Sequence, residues 1–344
     1  MIAYFCKTFI INLKSNNMKK ILLSLVALCC AMTAGAQAVL PQTATLQAGD
    51  ETTVFTGANA LVEAVAAAPV TGEGVITLSG GQFNIVTLDK VVAIYGSGYV
   101  NLPDRDIYDT YVSVITIKLP AEIATPHNIK IVGIRTDRIL IEAELDGLAV
   151  SKCGLNEIRG NAKATHVVVT QCIGCNSFIG MHDLLVQNSH GSFSGVTVLN
   201  NESTILFDHC ILTSTSCYDT SRFTCTNSIV NTRCVTSIER FHYCIITNQD
   251  NLDASPISDN NWFRTDEDAQ LTNLFTDGTN LDFTTTRTFT LKKPEKFVGN
   301  DGTPVGVNGA GRQWTIIPET PLTKDLQVTV DGTNLNVTYE TEVR

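Results

Sequence analysis

The sequence predicts an all-β chain folded as a single parallel β-helix, and three observations carry that expectation. Segments with one apolar pattern recur through the centre of the chain, their last residues spaced by 19, 19, 17, 21, 18 and 16 positions. Within each segment apolar and polar residues alternate with a period of two, which is the period of a strand. A repeat this short has no room for the two helices of a helical solenoid, which need about 33 residues. Strands joined by short polar turns and always running the same way stack only as a parallel sheet, each repeat burying its face against its neighbours.

The segments are Asn128–Ile134, Gly147–Cys153, His166–Cys172, Asp183–Ser189, Thr204–Cys210, Arg222–Ser228 and, more loosely, Ile238–Cys244. Their second and fourth positions are mostly apolar, as in Leu148/Val150, Val167/Val169, Leu184/Val186, Ile205/Phe207 and Phe223/Cys225. With 344 residues, 44% hydrophobic and 17% charged, the chain has ample material for a core and is not disordered. The excess of 34 acids over 24 bases advertises no polyanion-binding surface, so nucleic acid is not an expected partner.

At the N-terminus, residues 1–17 read as an over-extended start and residues 18–36 as a secretory signal peptide. Met18-Lys19-Lys20 is a basic head, Ile21 to Cys30 an apolar run too short to span a bilayer, and Ala34-Gly35-Ala36 a small-residue cleavage site. Leu28 directly before Cys29 is too bulky for a lipidation signal. The expectation is an exported protein, periplasmic, outer-surface or extracellular, without a transmembrane segment.

Residues 37–73 are expected to form an N-terminal cap, since an uncovered coil exposes an open edge. Gly57 to Ala68 reads as a short Ala-rich amphipathic helix that stops before Pro69. Strand Gly74–Leu78, the turn Ser79-Gly80-Gly81 and the stretch Val86–Ile94 follow, opening a β-helix over residues 74–312. Residues 313–344 read as a C-terminal β-hairpin cap, with strands Leu326–Val330 and Leu335–Tyr339 around an Asp331-Gly332 turn.

Eight of the eleven cysteines fall between Cys153 and Cys244. The seventh segment position reads Ile134, Cys153, Cys172, Ser189, Cys210, Ser228, Cys244, an inward ladder of small residues at a corner. Free Cys behaves there as a small buried hydrophobe. A disulfide remains the alternative, with Cys153 and Cys172 the best-placed adjacent pair. Cys172-Ile-Gly-Cys175 has redox-motif spacing without the βα context that activates it, and no second pair completes a zinc site. One residue earlier, Gln171, Asn188, His209 and Asn227 suggest amides stacked along the axis.

The order helix, strand, Gly turn and then Ile94-Tyr-Gly96-Ser-Gly98 resembles the opening of secreted β-helix proteins of the pectin-lyase-like superfamily. At the other end, Leu274-Phe275-Thr-Asp277, Leu281-Asp282-Phe283, Phe289-Thr-Leu291 and Asp301 to Gly309 resemble the last coil of uncharacterised β-helix proteins exported by gut Bacteroidetes. Lys293-Pro294 replaces the Ser-Pro of that coil, and Ala310 breaks its final glycine pair. The resemblance implies a single-stranded, right-handed β-helix over roughly residues 50–312. These motifs mark a fold and carry no activity with them.

Polysaccharide cleavage is the best-known activity of that superfamily. Lyases need calcium held by several acids and an arginine base, hydrolases a pair of carboxylates. Ile205-Leu-Phe207-Asp208-His209 resembles the Trp-Ile-Asp-His strand of pectate lyases, a stretch away from the catalytic calcium. Neither an Arg-x-Pro-x-x-Arg motif nor the Asn-Thr-Asp and Asp-Asp motifs of polygalacturonases is present. Asp183 and Asp208 occupy the first and fifth strand positions of adjacent coils, about 13–14 Å apart, too far for the ~5–9.5 Å of a hydrolase pair.

No catalytic residue, metal site or cofactor is therefore assigned; calcium enters only if the protein is a lyase. The expected function is non-catalytic binding of a polysaccharide or cell-surface component by a monomer. The alternative is a diverged lyase or glycoside hydrolase acting on acidic polysaccharide. Candidate glycan contacts lie on the outward line Thr170, Gln187, Asp208, Thr226, His242 and its flanks: Asp183, Gln187, Asp208, Arg222, Arg240 and His242. A second candidate is the acidic, aromatic insert Asp104, Asp106, Tyr108, Asp109 and Tyr111, with Trp262 and Trp314 as further stacking surfaces.

Overall fold

In strand Thr204–Asp208, Ile205 and Phe207 are buried while Thr204, Leu206 and Asp208 face outward. The same alternation sends Val167/Val169 and Leu184/Val186 inward on the two preceding rungs. A period of two places successive side chains on opposite faces, so every rung offers one apolar side to a shared interior. The structure is a computed structural model. It describes residues 42–70, 74–102, 108–160, 164–193, 195–198, 203–214, 223–231, 240–248 and 259–316, and the backbone of 322–331 and 334–342.

The result is a parallel β-solenoid. Its longest sheet has eleven strands, of which Glu51–Thr56 and Thr43–Ala48 come first and are antiparallel. Gly74–Leu78, Val92–Tyr95, Ile129–Val132, Leu145–Ser151, Ala164–Thr170, Asp183–Gln187, Thr204–Asp208, Thr224–Thr226 and Arg240–His242 follow, all parallel. A second sheet stacks Gly81–Phe83, Thr110–Val112, Arg135–Ile141, Gly154–Gly160, Ser177–Met181 and Gly195–Val198. A third runs from His190–Gly191 through Ile211–Leu212, Ile229–Val230 and Ile245–Ile246 to Trp262–Phe263. Interior side chains of the rungs merge into one apolar cluster, from Ala44 to Ile246.

Parallel pairing stops at Trp262–Phe263, short of the expected limit near residue 312. Residues 264–314 instead fold back over the third sheet. Leu212, Val230 and Ile246 point into the solenoid, whereas Ile211, Ile229 and Ile245 point outward and are buried under Leu274, Phe275, Phe289, Phe297 and Trp314. The bridges in that segment, Phe275–Leu291 and Val298–Pro304, are antiparallel. Pro294 and Pro304 deny it the donors of a regular ladder.

Before the first parallel rung, helix Ala60–Ala67 buries Ala60, Leu61, Ala64 and Val65 in the main cluster. The antiparallel pair Thr43–Ala48 and Glu51–Thr56, which the sequence reading did not anticipate, continues the long sheet beyond that rung. The hairpin strands are Leu322–Asp331 and Asn334–Glu342, longer than expected and paired antiparallel. Residues 1–41, with the proposed leader, and Gly332 of the hairpin turn lie outside the described residues. No helix among the described residues is long and apolar enough to cross a membrane.

The corner ladder forms as the pattern implies: Ile134, Cys153, Cys172, Ser189, Cys210, Ser228 and Cys244 are fully buried. Its interchange of Cys and Ser has a hydrogen-bonding reason. Each Cys or Ser side chain donates to the carbonyl two residues back, as Cys210 Sγ does to Asp208 at 3.4 Å and Ser228 Oγ to Thr226 at 2.6 Å. Three of them also accept from the backbone of the preceding rung: Cys153 N–H reaches Cys172 Sγ at 3.4 Å, Cys172 N–H reaches Ser189 Oγ at 3.1 Å, and Cys210 N–H reaches Ser228 Oγ at 2.9 Å. From Cys153 onward a small side chain that can both donate and accept occupies this corner.

All six described cysteines (Cys153, Cys172, Cys175, Cys210, Cys225, Cys244) are free and buried; Cys217 and Cys234 lie outside the described residues. Burial pushes the Cys175 thiol well above its usual range. Denaturing thiol titration of the purified protein should therefore count at least six more reactive thiols than the native protein shows at neutral pH. A titration showing these six to be blocked contradicts the ladder.

Candidate functional site

From the rung Ile129–Val132 onward, the turn out of the long sheet is made by a residue in the left-handed region. Gly133, Lys152, Gln171, Asn188, His209, Asn227, Tyr243 and Asn260 occupy successive corners with φ between 47° and 67°. Asn tolerates this conformation better than most residues. The anticipated amide stack does not form. Gln171, Asn188, His209 and Asn227 reach out to the returning C-terminal segment instead.

Gln171 Nε2 donates to the Gln313 carbonyl at 3.0 Å, and Asn188 Nδ2 to the carbonyls of Val307 and Gly309 at 2.9 and 3.0 Å. Asn227 Nδ2 donates to Asn300 Oδ1 at 2.9 Å, and Asn300 N–H returns a bond to Asn227 Oδ1 at 3.0 Å. His209, fully buried, sits between Asp208 Oδ1, 3.0 Å from its Nδ1, and Thr303 Oγ1, 3.1 Å from its Nε2. Gly309 makes room for that imidazole, since a Cβ there would lie 1.8 Å from His209 Cδ2.

This environment decides what Asp208 does. The register places Thr170, Gln187, Asp208, Thr226 and His242 in one line across consecutive rungs. Within the line the polar groups satisfy one another. Asp208 accepts from Gln187 Nε2, Thr226 Oγ1 and Asn227 Nδ2, each at 2.9 Å, and its side chain is only 17% exposed. Burial works against its charge, but the His209 imidazole beside it and hydrogen bonds from Gln187 and Asn227 outweigh it and hold the carboxyl at about 2.

His242 pairs through Nδ1 with Asp259, and Asp183 Oδ2 accepts from the His166 backbone N–H at 3.2 Å. Arg240 is exposed but aligns through Thr224 with Leu206, two positions off the line. Arg222 lies outside the described residues. The line is thus a polar ladder clasping rung to rung.

The insert leads elsewhere. Asp104 and Asp106 lie outside the described residues, but Tyr108, Asp109 and Tyr111 border the second sheet, where Tyr111 pairs in register with Arg135. Arg135 Nε donates to Asp109 Oδ2 at 2.8 Å, and its guanidinium carbon lies 4.2 Å from the centre of the Tyr111 ring. Tyr111 donates its hydroxyl to Asp137 Oδ2 at 2.5 Å; that bond and Asp137's charge raise the phenol pKa. Tyr108 is 44% exposed beside them.

On the same sheet Arg138 and Arg159 hold Glu157 between them, at 2.7 and 3.1 Å. All three arginine side chains remain between 42% and 48% exposed. Asp109 and Tyr111 were legible in the sequence as site candidates, whereas Arg135, Asp137, Arg138, Glu157 and Arg159 were not. A signal was present in the unusual density of charge in Arg135-Thr-Asp-Arg138.

The tryptophans take no part. Trp314 is buried near Phe289 and Trp262 stacks edge-on against Phe297, both in the cluster under the returning segment. No three His, Cys, Asp or Glu side chains among the described residues converge as a metal site. No protein family matches the chain, and neither the curated proteins nor the solved structures contain a match.

Proposed function

We propose that this chain is an exported, right-handed β-helix protein that binds a glycan without cleaving it, through the face around Tyr111 and Arg135. Export rests on the basic head, apolar run and Ala-x-Ala site of residues 18–36. The observation that carries the binding assignment is the guanidinium of Arg135, stacked 4.2 Å from the Tyr111 ring centre and held by Asp109. An aromatic ring covers the apolar face of a sugar, and a pre-positioned arginine with neighbouring carboxylates hydrogen-bonds its hydroxyls. Arg138, Glu157 and Arg159 extend the polar surface along the same sheet.

The non-catalytic reading is supported by the state of the acids. Asp109 is tied to Arg135, Asp137 to Tyr111, and Glu157 to two arginines. Among the described acids of this face, none stands free beside a gap where an acid or base would meet a glycosidic bond.

A glycan array spanning neutral and acidic polysaccharides, followed by calorimetry on the best ligand, tests the proposal. Arg135→Ala and Tyr111→Ala should each weaken binding at least about tenfold, equivalent to roughly 1.4 kcal/mol, with the thermal melt unchanged. Undiminished affinity in both variants would remove the site. Release of unsaturated or reducing-end products from any bound polysaccharide would instead establish the diverged lyase or hydrolase.

A further inference from the structure

The strand Glu51–Thr56 forms one margin of the eleven-stranded sheet: it pairs with Thr43–Ala48 on one side and, among the described residues, with no strand on the other. Which backbone groups face the open side follows from the register. Gly57 N–H donates to the Gln42 carbonyl at 2.7 Å, so the pairs Gln42/Gly57, Ala44/Phe55, Leu46/Thr53 and Ala48/Glu51 turn their groups toward each other. Thr43, which alternates with them, turns the other way, its carbonyl accepting from Ser79 N–H at 3.0 Å. Thr52, Val54 and Thr56 therefore direct their N–H and C=O groups outward, to an edge that nothing described covers.

Edges of soluble sheets are normally blunted by lysine, proline, a bulge or an inward charge. Glu51-Thr-Thr-Val-Phe-Thr56 has no lysine, arginine or proline, and its register with Thr43–Ala48 is unbroken. Five of its six residues are exposed, Val54 at 58%. Phe55, on the opposite face, packs against the core, which fixes the strand's orientation.

We infer that this edge pairs with the same edge of a second copy of the chain, antiparallel about a two-fold axis at Val54. The outward groups lie at Val54 and symmetrically two residues to either side, which makes the edge self-complementary. In that register Val54 faces its own copy, Thr52 faces Thr56, and Thr53 faces Phe55. Glu51 faces Gly57, so no like charges oppose one another across the seam. The two long sheets become continuous, and a dimer replaces the monomer expected from sequence.

Analytical ultracentrifugation of the full chain, expressed with its own N-terminus, gives the test. Mass should rise from monomer toward dimer with concentration, and Val54→Lys, which sets two ammonium groups against each other on the axis, should weaken association at least tenfold. Val70→Lys, on a residue 63% exposed and outside the edge strand, should leave association unchanged. Val54→Cys should crosslink one copy to another under mild oxidation, because facing residues in such a pair lie about 5.5 Å apart at Cα. A monomer at every concentration, equal effects of the two lysine variants, or failure of the Val54→Cys variant to crosslink overturns the assignment. The first result would include an edge occupied by the chain's own N-terminal residues.

Discussion

Asp208→Ala is expected to destabilise the protein by about 3 kcal/mol, read as a lower urea midpoint at pH 7, although an outward strand position suggests a replaceable surface acid. Removing the carboxylate strands Gln187, Thr226 and Asn227, which all donate to it, and leaves the buried His209 without its partner on the Nδ1 side. Asp208→Asn, which keeps the shape and one acceptor oxygen, should lose less. A cost below about 0.5 kcal/mol for Asp208→Ala would return the residue to the class of free surface acids.

The same residue predicts a pH dependence. Its carboxyl lies at about 2 in the fold against an ordinary value of 3.8. A depressed folded value means that the folded state holds the carboxylate more firmly than the unfolded chain does. Its stabilisation is complete above pH 4 and is lost as pH falls from 4 toward 2. Discounted for solvent screening of a partly exposed group, the loss is about 1–2 kcal/mol. Urea midpoints from pH 5 to pH 2 should show this step in the native protein and a shallower one in Asp208→Asn.

One residue earlier the chemistry is the opposite. Phe207→Ala should cost about 3–5 kcal/mol, among the larger losses available to a single substitution here. Phe207 is fully buried at the centre of an array of rings, 4.8 Å from Phe193, 5.3 Å from Phe223 and 6.3 Å from Phe178. Truncation leaves a cavity that neighbouring rungs cannot close, because parallel pairing fixes them on both sides. Phe207→Leu should recover more than half of the loss. Chemical denaturation of the three proteins provides the measurement, and near-equal midpoints would show the interior to be loosely packed.

Period-two alternation was enough to define the rungs, their inward residues and even the line from Thr170 through Gln187, Asp208 and Thr226 to His242. Each of those features depends on contacts between one repeat and the next, and a repeated pattern encodes such contacts locally. The Cys and Ser ladder was equally legible as an inward corner, although its role in relaying hydrogen bonds was not. What tertiary structure alone decided were the contacts between distant parts of the chain. Gln171 meets Gln313 across 142 positions and Asn227 meets Asn300 across 73, so nothing near these amides in sequence distinguishes a stack from a clasp. For that reason Asp208, polar and outward, reads as a ligand contact until the returning segment closes beside it. Arg135 likewise gains its ring and its carboxylate only when the turn of the solenoid brings Tyr111 and Asp109 alongside. A strand's period specifies which face a side chain takes, and the partner on that face is set by the path of the rest of the chain.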